Sequence, residues 1–100
     1  MEPKEFFDTL ESRVDTARTA GMNTSYLFEI EGAGTWKVDV ADGKVTVTEG
    51  AADADVTIRT SAETFSAIAS GEQNPTTAYM TGKLKVEGDM GAALKLQKLF

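Results

Sequence analysis

The amino-acid sequence predicts an α+β fold in two layers: a five-stranded, mainly antiparallel sheet covered on one face by helices. Two observations lead to this prediction. Apolar and polar residues alternate along five short segments, which is typical of strands with one buried and one solvated face. Other segments show apolar residues at helical spacing or begin at residues that cap helices. Because 100 residues is the usual size of one domain, we expect a single domain over residues 1–100.

The first predicted element is an amphipathic helix in the segment PKEFFDTLESRVDTARTA. Pro3 suits the first helical position, and Gly21 supplies the stop. Four apolar residues recur at helical spacing between them, namely Phe6, Leu10, Val14 and Ala17. This helix therefore has one apolar face to pack against the sheet.

Three strands follow, and alternate residues in each are apolar. In the first strand Leu27 and Glu29 are expected on the solvated face. The dipeptide Asp42-Gly43 between the second and third strands predicts a two-residue hairpin turn, because glycine adopts positive φ without a steric cost. The predicted inward residues are Tyr26, Phe28 and Ile30, then Trp36, Val38 and Val40, then Val45 and Val47.

A fourth strand with Val56 and Ile58 leads into a helix. The segment TSAE, Thr60–Glu63, predicts a helix start of the capping-box type, and Gly71 ends this helix. The apolar residues of the helix are Phe65, Ile68 and Ala69.

The dipeptide Asn74-Pro75 predicts the cap and first position of a shorter helix that ends at Gly82. A fifth strand with Leu84 and Val86 comes next. The short helix contributes the apolar residues Ala78, Tyr79 and Met80.

Asp89 is the predicted cap of a last helix from Met90 to Phe100. Its apolar side chains cover an arc of about 220° at about 100° per residue. An arc of this width predicts contact on two sides of the helix. The residues concerned are Met90, Ala92, Ala93, Leu94, Leu96, Leu99 and Phe100.

Composition excludes several classes of function. The net charge of −6 disfavours nucleic acid as a partner and leaves at most transient contact with an anionic membrane. The sequence contains no Cys and no His, so we expect no metal site, no cofactor and no enzymatic activity. It also contains neither a spanning apolar run nor a secretory signal, which predicts a cytoplasmic location.

An ordered set of residues lies in the segment GEQNPTTAYMTGKLKVEGDMGAALKLQ, residues 71–97. The set comprises Gly71, Asn74-Pro75, Ala78-Tyr79, Gly82–Val86, Gly88, Met90-Gly91 and Leu94–Gln97. It resembles the sterol carrier protein type 2 family of intracellular lipid-binding domains, and Trp36 and the strand Ala54–Ile58 add to the match. The resemblance implies a lipid tunnel between a five-stranded sheet and a roof of helices. Animal members continue past the last helix, often to a peroxisomal address, whereas this sequence stops at QKLF.

We therefore expect non-enzymatic binding, with transfer as a further step, of a fatty acid, fatty acyl-coenzyme A or sterol-like molecule. Methionine suits such a site because its flexible side chain adapts to ligands of different shape. The candidate lipid-binding residues are Phe28, Trp36, Phe65, Ile68, Tyr79, Met80, Leu84, Met90, Leu94, Leu96, Leu99 and Phe100.

Two alternatives remain open from the sequence. The same apolar residues fit an ordinary filled core, and the protein is then an accessory or oligomerisation module, such as a homodimer, that serves a partner enzyme. Five cations either bind a ligand carboxylate or coenzyme A phosphate or balance acidic neighbours. They are Arg59, Lys83, Lys85, Lys95 and Lys98.

Overall fold

The computed structural model of the protein describes residues 3–13, 20–42 and 44–95. Its helices are α1 (Pro3–Arg13), α2 (Ala62–Ser70), α3 (Pro75–Met80) and α4 (Met90–Leu94). Its strands are β1 (Asn23–Glu31), β2 (Gly34–Ala41), β3 (Lys44–Glu49), β4 (Val56–Ser61) and β5 (Leu84–Gly88). The element order and the α+β class agree with the sequence prediction.

The five strands form one sheet in the order β3-β2-β1-β4-β5. All neighbouring pairs are antiparallel except β1 and β4, which run parallel. The sheet is therefore mixed and mostly antiparallel. The parallel pair arises because the chain leaves the edge strand β3 and re-enters on the far side of β1.

Strand register places the predicted inward residues on one face. Phe28 lies opposite Trp36 on β2 and opposite Ile58 on β4, and all three are buried. The other face is mostly polar, and Leu27 is its buried apolar residue. Leu27 was predicted on the solvated face, but it is only 8% exposed. Its strand neighbours there are Lys37 and Thr57, and long side chains such as lysine cover apolar surface with their hydrocarbon stems.

Helix α1 covers one side of the sheet through an aromatic cluster. The ring of Phe7 stacks on Trp36 at a centroid distance of 4.8 Å and on Phe65 at 5.2 Å. Phe6 and Phe28 complete the aromatic cluster, with centroids 5.3 and 5.1 Å from that of Phe7. Offset and edge-on ring contacts at these distances stabilise a core beyond the area they bury.

The helix caps follow the sequence with one correction. The Asn74 side chain accepts hydrogen bonds from the backbone of Thr76 and Thr77, as predicted. The capping box at Thr60–Glu63 is displaced by one residue. Ser61 is the cap and accepts from the Thr64 backbone N–H at 3.1 Å. Thr60 does not cap the helix, because its hydroxyl donates to the backbone carbonyl of Lys83.

Three predictions from the sequence concern segments that extend beyond the described residues. The described part of the first helix ends at Arg13, so Val14 and Ala17 are not covered. Ala41 pairs with Lys44, which confirms a two-residue hairpin connection. The predicted continuation of the last helix to Phe100 lies outside the described residues.

Candidate functional site

The structure divides the twelve candidate residues into three groups. Phe28, Trp36, Phe65, Ile68 and Leu84 are buried. Tyr79, Met80 and Met90 are exposed, with 43%, 78% and 43% of their surface accessible. Leu94 belongs to α4, but its side chain is outside the description, as are Leu96, Leu99 and Phe100.

The layer between α1 and strands β1 and β2 is occupied by aromatic side chains. Phe28, Trp36 and Phe65 all contribute rings to the aromatic cluster around Phe7. Neighbouring ring centroids are at most 6.0 Å apart, including that of Phe28 and Phe65. Protein interiors pack as densely as organic crystals, so a hydrocarbon chain enters this region only if the rings separate.

The other end of the layer is built from smaller side chains. Helix α3 packs against β5, and α4 packs against β4 and β5. Ala78 on α3 and Ala92 on α4 are buried, and Ile68 and Leu84 lie in the same core. Ala93 is partly buried against it. We call the region formed by Ile68, Ala78, Leu84, Ala92 and Ala93 the small-residue layer. Its three alanines, on α3 and α4, fill less space than the rings of the aromatic cluster.

Exposed apolar side chains stand on the two helices that contribute alanines to the small-residue layer. Tyr79 and Met80 end α3, and Met90 begins α4. No other large apolar side chain among the described residues is exposed. Methionine adapts its shape to different neighbours, and tyrosine suits a boundary between apolar and aqueous surroundings.

In the described part of the chain, hydrogen bonds connect α4 and its cap, Asp89, to the rest of the protein. The hydroxyl of Tyr26, a fully buried residue of β1, donates to the backbone carbonyl of Ala92 at 2.5 Å. The backbone N–H of Asp89 donates to the carbonyl of Asp55 at 3.1 Å. Burial and, to a lesser extent, the nearby Asp89 carboxylate raise the pKa of Tyr26 to about 12. The hydroxyl therefore stays protonated and remains a donor at neutral pH.

Tyr26 was not among the sequence-predicted site residues. The sequence did contain a signal for it, because a tyrosine on the apolar face of a strand needs a hydrogen-bond partner for its hydroxyl once buried. The identity of that partner depends on a contact 66 residues further along the chain.

A cleft of about 790 Å³, lined mainly by polar and charged residues, lies where β1 and β4 end and β5 begins. Arg59 lines it and donates to Glu29 and, at 3.3 Å, to Glu87. The hydrogen bond to Glu29 is the main reason that the pKa of Arg59 is raised. This cation balances acidic neighbours. Lys83 and Lys85 also line the cleft, but none of the twelve candidate lipid-binding residues does.

A smaller groove of about 360 Å³ separates the end of α2 from the start of α3. Ile68 and Ala69 line it on one side, and Asn74 and Pro75 line it on the other. Ile68 also belongs to the buried core, so this groove adjoins the small-residue layer.

Metal-ligand clusters and long apolar helices are absent from the described part of the chain. No group of three His, Cys, Asp or Glu side chains is arranged there to hold a metal ion. None of the helices described is long and apolar enough to cross a membrane.

Comparison with known proteins finds one family model that matches most of the chain. The sequence profile described as the SCP-2 sterol transfer family matches residues 4–100. A hydroxysteroid dehydrogenase-like protein 2 from Xenopus tropicalis is 37% identical over 100 residues, which is 96% of this chain and 24% of that protein. The chain thus spans about a quarter of the length of this relative.

Two solved structures show the same fold. The sec-alkylsulfatase Pisa1 from Pseudomonas sp. superposes with a TM-score of 0.83 and 27% identity, over 99% of this chain and 16% of that one. The solution structure of palmitated SCP2L2 from Aedes aegypti superposes with a TM-score of 0.78 and 25% identity, over 99% of this chain and 94% of that one.

Proposed function

Because the chain belongs to the SCP-2 sterol transfer family, we propose that it is a single, non-enzymatic domain that binds a lipid between its sheet and its helices. The ligand class is a fatty acid, a fatty acyl-coenzyme A or a sterol-like molecule. Binding takes place in the cytoplasm, and release to a membrane requires only transient contact.

The small-residue layer is the part of the fold that accepts the hydrocarbon chain. The observation that carries this proposal is that all three exposed large apolar side chains in the described structure stand on α3 and α4, which cover this layer. A group of exposed apolar side chains often marks a surface that binds another apolar body. In this proposal the three side chains form the rim at which a hydrocarbon chain enters beneath the two helices.

The aromatic cluster then forms the closed end of the site. Phe65 and Ile68 are both buried residues of α2, so the end of the hydrocarbon chain reaches the Phe65 ring. Phe28 and Trp36 remain core residues. Ile68, Leu84, Met80 and the other two exposed side chains line the ligand. Lipid contacts of Leu94, Leu96, Leu99 and Phe100 stay predictions from the sequence.

Burial of about ten methylenes at about 0.8 kcal/mol each gives a gross gain near 8 kcal/mol, from which association and ordering costs are subtracted. The expected affinity is therefore micromolar or weaker. Methylenes carry no directional information, so selectivity among chains of similar length is low.

Palmitate is the probe of choice, because a relative of the same fold was solved in its palmitated form. Delipidated protein is titrated with palmitate while native mass spectrometry counts bound molecules and a thermal melt follows stability. Palmitate at 100 times its Kd should stabilise the native state by about 2.7 kcal/mol. A melt that does not move, without a one-to-one adduct, overturns the proposal.

A pair of matched variants locates the site. Ala93→Phe places a ring in the small-residue layer, and we expect it to weaken palmitate binding at least tenfold. Val47→Phe is the control, since Val47 is also partly buried against the core but lies on β3, beside α1. Both substitutions overfill the core at a cost of about 1–3 kcal/mol. Equal loss of binding in the two variants contradicts the assigned position.

A second candidate function is that of an accessory domain for an enzyme. The observation in its favour is that the matched relatives are longer: this chain covers 24% of the dehydrogenase-like protein and 16% of the alkylsulfatase. In this case Tyr79, Met80 and Met90 contact another protein or a second copy of the chain. Sedimentation at low micromolar concentration separates the two, because a dimer that persists with no palmitate bound favours the accessory role.

A further inference from the structure

Tyr26 carries a polar atom into the centre of the apolar layer. Among the largest fully buried side chains of the described residues it is the only one with a polar group; the others are Phe, Leu, Ile and Val. Burying a hydroxyl is unfavourable unless it makes a hydrogen bond. Among the described residues the Tyr26 hydroxyl donates to the Ala92 carbonyl, so this hydrogen bond holds only while α4 stays in place.

The described side chains of α4 give it little apolar contact with the sheet. Of its described side chains, Ala92 is buried and Ala93 is partly buried, while Met90 is exposed. Short side chains remove little apolar area from water, so they contribute weakly to docking. The Asp89 backbone bond to Asp55 lies before the first turn and fixes only the start of the helix.

We propose that Tyr26 is a positioning residue that latches α4 onto the sheet, and that release of this hydrogen bond admits lipid between α4 and strands β4 and β5. This inference rests on the proposed lipid-binding function. The tyrosine hydroxyl acts on the helix backbone and does not contact the ligand head group. The strength of the hydrogen bond between Tyr26 and Ala92 therefore sets how often the site opens. The rates of lipid entry and exit follow from this frequency.

One substitution removes the hydrogen bond to Ala92 and retains the aromatic ring. Tyr26→Phe keeps the ring in the core and removes only the hydroxyl. The Ala92 carbonyl is not left without a donor, because the Lys95 backbone N–H also bonds to it. The variant therefore weakens the docking of α4 without creating an unpaired buried group.

Amide hydrogen exchange without lipid tests the latch directly. In Tyr26→Phe we expect the amides of Ala93 and Lys95 to exchange about five to ten times faster, while that of Ile58 in β4 keeps its rate. Thr60→Val is the matched control. It removes another buried hydroxyl of the same sheet face, whose bond to Lys83 lies away from α4, and it should leave α4 exchange unchanged.

Palmitate dissociation tests the functional consequence. We expect dissociation from Tyr26→Phe to be about three to ten times faster than from the wild type and from Thr60→Val. If wild-type protein binds palmitate but Tyr26→Phe changes neither α4 exchange nor dissociation, the latch is wrong and the proposed function stands. If no protein binds palmitate, the proposed function fails whatever the exchange result.

A measurement on the wild type keeps the inference testable should Tyr26→Phe not fold. Nuclear magnetic resonance should show the Tyr26 hydroxyl proton as a slowly exchanging signal close to the Ala92 amide group. Palmitate should change its exchange rate. A rapidly exchanging hydroxyl proton in the lipid-free protein contradicts a closed latch.

Discussion

The connection from β5 to α4 depends on the absence of a side chain at Gly88. A Cβ atom added there would lie 2.3 Å from the Asp55 carbonyl oxygen and 3.2 Å from the Val56 Cα, and the φ of Gly88 is 111°. The same Asp55 carbonyl accepts the backbone N–H of Asp89, the cap of α4. Gly88→Ala therefore moves β4 away from β5 and disturbs the start of α4.

The expected cost of Gly88→Ala has two parts. Positive φ costs an L-residue about 1–2 kcal/mol, and forcing an atom into packed backbone costs about 1–3 kcal/mol more. The sum is about 2–5 kcal/mol of unfolding free energy. Gly32→Ala isolates the first part, because Gly32 has a φ of 87° and open space around its Cβ position.

Urea unfolding with circular dichroism compares the two variants. Gly88→Ala should have the lower midpoint at an unchanged slope, with an excess loss of about 2 kcal/mol over Gly32→Ala. This excess corresponds to about 8–16 °C in melting temperature for a domain of this size. Equal midpoints in Gly88→Ala and Gly32→Ala would show that the close approach to Asp55 plays no part in stability.

Three further predictions concern different parts of the molecule. The pKa of Tyr26 is about 12 in the folded protein and 10.0 in the unfolded chain, so only the unfolded chain loses the proton between these pH values. The free energy of unfolding should therefore be constant below pH 10 and fall as the pH rises to 12. The loss is up to about 3 kcal/mol in urea titrations and should be missing in Tyr26→Phe. Phe7→Ala removes a ring that contacts four others and should cost about 3–5 kcal/mol by the same assay; a loss below 1 kcal/mol contradicts the aromatic cluster. Met80→Gln should leave stability within about 0.5 kcal/mol but weaken palmitate binding severalfold, and unchanged affinity removes Met80 from the site.

Local signals in the sequence predicted most of the fold. Asn74 and Asp89 act as helix caps because their short side chains accept bonds from the next backbone N–H groups, which needs no distant partner. Alternation along β1, β2 and β4 assigned Phe28, Trp36 and Ile58 to one face, since side chains on a strand point to opposite sides in turn.

Other features required the three-dimensional contacts. Alternation is the same in parallel and antiparallel strands, so it did not distinguish the parallel pair of β1 and β4. Leu27 is covered by the neighbours that strand order gives it, and the order of strands is not a local property. The cap at Ser61 depends on where β4 stops pairing, which lies one residue later than the TSAE pattern suggests.

The candidate site illustrates the same division. Residue type identified a set of apolar side chains suited to a hydrocarbon ligand, because hydrophobicity belongs to the amino acid itself. Whether such a residue becomes core or boundary depends on what lies opposite it. Phe28 and Trp36 meet other rings, whereas Met80 and Met90 meet solvent. The sequence alone determined the family, the layers and the apolar set, while only tertiary contacts set apart the aromatic cluster and joined Tyr26 to α4.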